Sequence, residues 1–126
     1  MTLALWCVLA AAILPYIATL FAKSSPGFDN HNPRAWLANQ EGMQARANAA
    51  QLNSFEAFPF FAAAVIVAHL LQGPQAIVDT LAIVFIVARI AYLGCYLTNQ
   101  ATLRSLCWLA GFGATVAIFV NAAISL

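Results

Sequence analysis

The sequence predicts an all-α integral membrane protein, folded as one bundle of four transmembrane helices. Three observations predict it. Hydrophobic residues fill 63% of the 126 positions and charged residues only 7%, where a soluble domain carries about 25% charge. The mean hydropathy is +0.85. Four apolar stretches, at about residues 2–22, 53–72, 76–97 and 102–124, each reach the roughly twenty residues needed to span a bilayer core. The length suits a single domain over residues 1–126. A net charge of +1 offers no basic face for nucleic acid. Cys7, Cys95 and Cys107 stand singly in apolar runs, without the paired spacing of a metal or redox site, and read as buried thiols.

The first stretch, Thr2 to Ala22, is uncharged and interrupted by Pro15. A proline is tolerated in a spanning helix because neighbours re-satisfy the freed carbonyl. No Lys or Arg precedes the run, and it is too long for the core of a signal peptide, so a retained helix is expected. Lys23 to Asn32 is rich in turn formers. Asn32-Pro33 then reads as a helix start, with Asn at the cap and Pro at the first helical position. The next strong breaker is Gly73-Pro74, so one long second helix is expected from Pro33 to about Gln72. Its polar first half, with Arg34, Glu41 and Arg46, stands outside the membrane, and its apolar second half enters, bent near Pro59. The third helix carries Asp79 near its start, as a first-turn charge, and Arg89 well inside. The fourth contains Gly111, Gly113, Ala114 and Ala117, small residues that let helices approach closely in lipid. Asn121 is expected to bond a neighbouring helix, and Trp6 and Trp108 suit interfacial positions.

Four spans put both termini on one side. Lys23, Arg34, Arg46 and Arg104 all fall on the side of the first and third loops. The positive-inside rule therefore places those loops in the cytoplasm and the termini outside, in a multi-pass protein of the cytoplasmic (inner) membrane.

The stretch Arg46 to Phe61 carries the chemistry. At 100° per residue, Arg46, Asn53, Glu56 and Phe60 share one stripe, while Gln51 points the other way. A carboxylate at a membrane entrance is expensive unless partnered. On the third helix Arg89, Tyr92 and Tyr96 form a second stripe, with Arg89 roughly 12 Å inside by helical rise. Arg104 begins the next helix at the same interface. One shared crevice is expected to join Arg46, Asn53, Glu56, Arg89, Tyr92, Tyr96 and Arg104. Guanidinium groups bind carboxylates, a carboxylate holds an ammonium, and an arginine beside a thiol favours the nucleophilic thiolate. The mix suits a small zwitterionic or anionic ligand.

The runs Q51-L-N53-S-F-E56-A-F-P59 and R89-I-A-Y92-L-G-C-Y96 resemble the membrane-associated proteins in eicosanoid and glutathione metabolism, the MAPEG family. The resemblance extends over the whole chain: its length, its four spans and both motifs in order. It implies a homotrimer of four-helix protomers. It also implies glutathione as co-substrate, bound between subunits near the cytoplasmic face, and an apolar small-molecule substrate arriving from the lipid bilayer. Asn53, Glu56, Tyr92 and Tyr96 match glutathione-contacting positions, Gln51 one contributed by the neighbouring subunit, and Arg89 the arginine of the third helix. Arg104 matches the catalytic arginine that stabilises the thiolate. Two positions depart from the pattern. Ala49 stands where the family's enzymes carry a second arginine, and Ala57 where leukotriene synthases carry a tyrosine. Arg46, one turn before Ala49, is the candidate to reach in instead.

The resemblance implies a glutathione-dependent transferase or peroxidase acting on an apolar electrophile or lipid hydroperoxide. A non-enzymatic lipid-binding or scaffold protein of the same fold is the alternative, and Ala49 favours it. Plainer readings also stand. Glu56 and Arg89 suit a structural clamp, Tyr92 and Tyr96 an interfacial belt, Arg46 and Arg34 a solvated helix half, and Arg104 a determinant of topology. A small multidrug exporter is disfavoured, because the first stretch carries no carboxylate.

Overall fold

The computed structural model describes residues 1–126. Its regular structure is helical throughout: α1 (Leu3–Ala22), α2 (Pro33–Ala38), α3 (Gly42–Leu70), α4 (Gln75–Leu97) and α5 (Ala101–Ile124). All but α2 are long and apolar enough to cross a membrane.

The helices pack through their smallest residues. On α1 the buried positions are Ala4, Cys7, Ala11, Pro15, Ala18 and Ala22, a three-and-four spacing that keeps one narrow face inward. On α3 Ala47, Ala50, Ser54, Ala64 and Ala68 do the same, and on α5 Gly111, Ala114 and Ala122. Lipid is as apolar as leucine, so close backbone approach, more than hydrophobic burial, holds such helices together. α1 lies chiefly on α3, and α4 on α5. The one large ring contact of the core is Phe61 on Phe85, stacked at 3.9 Å between centroids. Leu9, Ile13, Leu20, Val87, Leu106 and Leu109 point outward.

The second helix of the sequence reading is two helices. Asn39 and Gln40 each turn a side-chain amide back onto the carbonyl four residues earlier, at 2.9 and 3.0 Å, and end α2. Gly42 then takes a left-handed φ of 64°, which only glycine adopts without strain, and redirects the chain into α3. Loop 23–41 folds back on the bundle. Phe28 meets Trp36 edge to face, the Lys23 ammonium lies 5.1 Å from the Phe28 ring centroid, and Leu37 packs with Ala22 and Ala47.

Two polar residues have other partners than expected. Asp79 stands in the second turn of α4 and serves α1, since the Ala4 amide donates to its Oδ1 at 2.8 Å, beside Gln75 Nε2 at 2.7 Å. Thr2 accepts from the Leu5 amide at 3.3 Å and caps the same end. Asn121 donates to the carbonyl of Ala117 in its own helix, not to a neighbour. Asp79→Ala removes an acceptor from an orphan amide of α1 and is expected to cost about 1 kcal/mol, the usual value of a helix cap. Hydrogen exchange at Ala4, accelerated selectively over the rest of α1, is the measurement that checks it.

Candidate functional site

The polar residues of the bundle gather toward the end that carries loop 23–41 and the turn at 98–100. That turn is shaped by Asn99, whose φ of 60° is one an asparagine tolerates, and by the Gln100 amide bonding the Cys95 carbonyl at 2.8 Å.

Arg89 is the centre of the cluster. It is 4% exposed, although it is a charged residue on a spanning helix. Its Nη2 donates to Asn53 Oδ1 at 2.9 Å and to Ser54 Oγ at 3.2 Å. Its aliphatic part lies against Gly111, where a Cβ would stand 3.6 Å from Arg89 Cδ, so α5 closes over the side chain. Ser54 escaped the sequence reading. It shares the inner face of α3 with Ala47 and Ala50, at i+7 and i+4, and that period was the available signal.

From Arg89 a ladder of rings and cations runs toward the loops. The Arg89 guanidinium lies 4.1 Å from the Tyr92 ring centroid. Tyr92 and Tyr96 meet edge to face at 5.6 Å, and the Arg104 guanidinium lies 4.5 Å from the Tyr96 centroid. Each cation–π contact is worth about 0.5–2 kcal/mol, more as water is excluded. The i, i+3, i+7 spacing on α4 puts the first three in line, and the tight turn at 98–100 brings Arg104 back onto the last.

Two cavities flank this ladder. The first, about 220 Å³, lies between α3, α4 and α5 and is lined by Asn53, Glu56 and Arg89 at its polar part, with Phe60, Phe85, Trp108, Phe112 and Thr115 among its apolar residues. The second, about 230 Å³, is lined by Tyr92, Arg104, Ser105, Trp108 and Leu109. Within the protomer the expected single crevice is therefore divided, with Trp108 bordering both halves. Tyr96 lines neither and is covered by Arg104. Glu56 is exposed to the first cavity and makes no hydrogen bond or ion pair within the chain, so Arg89 and Glu56 are not clamped to each other directly.

Arg46 does not join the cluster. Its Nη2 donates to the carbonyl of Leu97 at 3.2 Å, at the electron-rich end of α4, and its Nε is buried without a partner. The position next to Asn53 that the missing arginine leaves open is not filled by Arg46. Gln51 lies on another face of α3. It accepts from the Thr19 hydroxyl of α1 and lines a groove of about 410 Å³ with Arg34, Asn48 and Phe55.

Chemically, the cluster offers a buried cation with spare donors, a free carboxylate, and a half-buried arginine braced on a tyrosine ring beside an apolar wall. The model of the MAPEG family matches residues 3–124, nearly the whole chain. No curated protein matches it.

Proposed function

Since this chain belongs to the MAPEG family, we propose that it is a membrane-bound, glutathione-dependent transferase or peroxidase acting on an apolar electrophile or lipid hydroperoxide. The observation that carries the reading is the pairing of Arg89 and Glu56 in one cavity, a cation and an anion in apolar surroundings with neither neutralised by an ion pair in the chain. Uncompensated charge of both signs in a spanning bundle is costly. A zwitterionic peptide thiol, carrying carboxylates and an ammonium, relieves both.

In this reading Arg104 holds the thiol as thiolate. Its guanidinium is kept in place by the Tyr96 ring and opens on the second cavity. In conjugation the thiolate's electron pair forms a carbon–sulfur bond with the electrophile and displaces its leaving group. In peroxide reduction two thiols become a disulfide, and the hydroperoxide leaves as alcohol and water. Asn53 and Ser54 orient Arg89, Tyr92 and Tyr96 shape the path between the arginines, and Glu56 takes the ammonium. Gln51, on the opposite face of α3, is offered to the site of the neighbouring protomer in a homotrimer. The basic end faces the cytoplasm, with the chain in the cytoplasmic membrane. Arg46 has a structural part here, tying α3 to the end of α4.

The test is equilibrium binding of glutathione to the detergent-solubilised protein, with conjugation of an apolar electrophile measured alongside. Glu56→Gln is expected to weaken glutathione binding about tenfold, the loss of a charge-assisted contact, while the thermal transition stays in place because Glu56 holds no partner in the fold. No binding at millimolar glutathione favours the second reading, a lipid-binding or scaffold protein. Ala49, with Arg46 turned away to Leu97, is the specific observation on that side.

A further inference from the structure

We infer that Cys95 and Cys107, which face each other across the α4–α5 hairpin, are a site of oxidation by hydroperoxides carried in the bilayer, closing reversibly to a disulfide that staples the two helices. The inference uses neither glutathione nor the cavity residues of the proposed activity, and its test needs neither.

The register of the hairpin puts the two cysteines side by side. Near the turn Tyr96 of α4 meets Arg104 of α5, and further in Ala88 meets Gly111. Cys95 follows Ala88 on one stripe of α4, at i+7, and Cys107 precedes Gly111 on one stripe of α5, at i−4. By position alone they differ in level by less than a turn. A Cα–Cβ bond tilts toward the N-terminus of its own helix. In α4 that direction is away from the turn and in α5 it is toward the turn, so the tilts close the remaining offset. The Cys107 thiol is within hydrogen-bonding reach of Cys95. The Cys95 backbone is held by the turn, its carbonyl accepting from the Gln100 amide at 2.8 Å.

The seam is also narrow enough for a bond. A disulfide needs its Cβ atoms about 3.5–4.5 Å apart. One turn deeper, the Ala88 Cβ lies 3.8 Å from where a Cβ on Gly111 would stand. Both thiols are half-buried, which leaves them open to a bilayer-soluble reagent. Cys7 is the contrast, buried on α1 near Asp79 at the other end of the bundle. Along the sequence the three cysteines carry no pairing signal, and the turn at 98–100 supplies it.

The chemistry balances with a hydroperoxide as the only co-reactant. One sulfur's lone pair takes the terminal peroxide oxygen, the O–O bond breaks, and its electron pair leaves with the alcohol, which collects the thiol proton. The second sulfur then attacks the sulfenic sulfur. The S–O bond breaks, and the oxygen departs as water with the second proton. One hydroperoxide and two thiols thus give one alcohol, one water and one disulfide. A low-molecular-weight thiol or dithiol reverses the bond by exchange. In a reducing compartment such a pair rests as the dithiol, and its disulfide is a transient, redox-sensing state. The bond ties α4 to α5 one turn from the Arg104–Tyr96 contact.

The experiment uses the full chain in nanodiscs, treated with cumene hydroperoxide and no added thiol, then denatured and alkylated with a maleimide. Alkylated cysteines are expected to fall from three to one per chain. A peptide joining Cys95 to Cys107, lighter by two hydrogens, should appear in the mass spectrum and vanish with dithiothreitol. The alcohol released should match the disulfide one to one. Cys95→Ser and Cys107→Ser should each abolish the linked peptide, and Cys7→Ser should leave it. In a parallel titration phenylarsine oxide, whose arsenic bridges two close thiols, should bind one per chain and protect both cysteines from the maleimide. Circular dichroism reports folding of each variant. Disulfides between chains or to Cys7 overturn the inference. So does oxygen added to the thiols without the linked peptide, or thiols left untouched by a hydroperoxide concentration that oxidises free cysteine in a parallel sample. Failure of phenylarsine oxide to protect both cysteines overturns the pairing on which it rests.

Discussion

Arg104→Ala is expected to lower the rate of glutathione conjugation by about a hundredfold or more, while the thermal stability of the bundle changes little. A free thiol ionises near pH 8.5, so only a few per cent of it is nucleophilic at neutral pH. A guanidinium beside the sulfur raises that fraction and stabilises the charge that the reaction redistributes. Removing one such preorganised donor costs about 10²–10³ in rate. Arg104 is half-buried, makes no side-chain hydrogen bond, and touches the fold through the Tyr96 ring, so the structural loss is small. The variant's rate should rise with pH toward the free-thiol range, and ultraviolet absorbance of the bound thiolate at neutral pH should vanish. Arg104→Lys should recover part of the rate, because it keeps the charge but not the flat contact with Tyr96. An Arg104→Ala protein with unchanged rate and pH profile removes the catalytic assignment.

Asn53→Ala is expected to be the most destabilising single change at the site, by about 2–3 kcal/mol, a hydrogen bond to a charged group lost in a water-poor place. It strands the Arg89 cation with Ser54 as its only hydrogen-bonding neighbour. Arg89→Met, which removes the charge and keeps the bulk, should be close to neutral for stability, because a buried cation is replaced by a group at home in apolar packing. The two variants then separate fold from function. Both should lose ligand binding, but only the first should lower the unfolding midpoint in detergent. An Arg89→Met protein as unstable as Asn53→Ala would make Arg89 a strut rather than a ligand contact.

Periodicity made much of this site legible. Asn53, Glu56 and Phe60 share a stripe because a helix repeats every 3.6 residues, and they line one cavity. The same rule aligned Arg89, Tyr92 and Tyr96. The four spanning helices were visible from length and hydropathy alone. What could not be read depends on contacts between elements. Arg46 lies on the correct stripe, yet the carbonyl of Leu97 at the end of α4 claims its guanidinium. The break at 39–41 hangs on two side chains folding back on their own helix, and on Gly42, which carries no helix-ending partner such as proline beside it. Asp79 reads as a charge for its own helix, but the backbone amide that donates to it is that of Ala4 in α1. The partition by Trp108 follows from how three helices cross, which no single-helix pattern encodes.

The narrow seams along which the helices touch divide mutational freedom sharply. Ala4, Ala22, Ala47, Ala50, Ala64 and Ala82 are at most 1% exposed, so a single added methyl there has nowhere to go. The bulky outer residues point away from these seams, and those that meet acyl chains can be exchanged to suit a thicker or thinner bilayer without disturbing the interior of the protomer. Adaptation to a new lipid environment is thereby decoupled from the chemistry, and the two can be engineered independently.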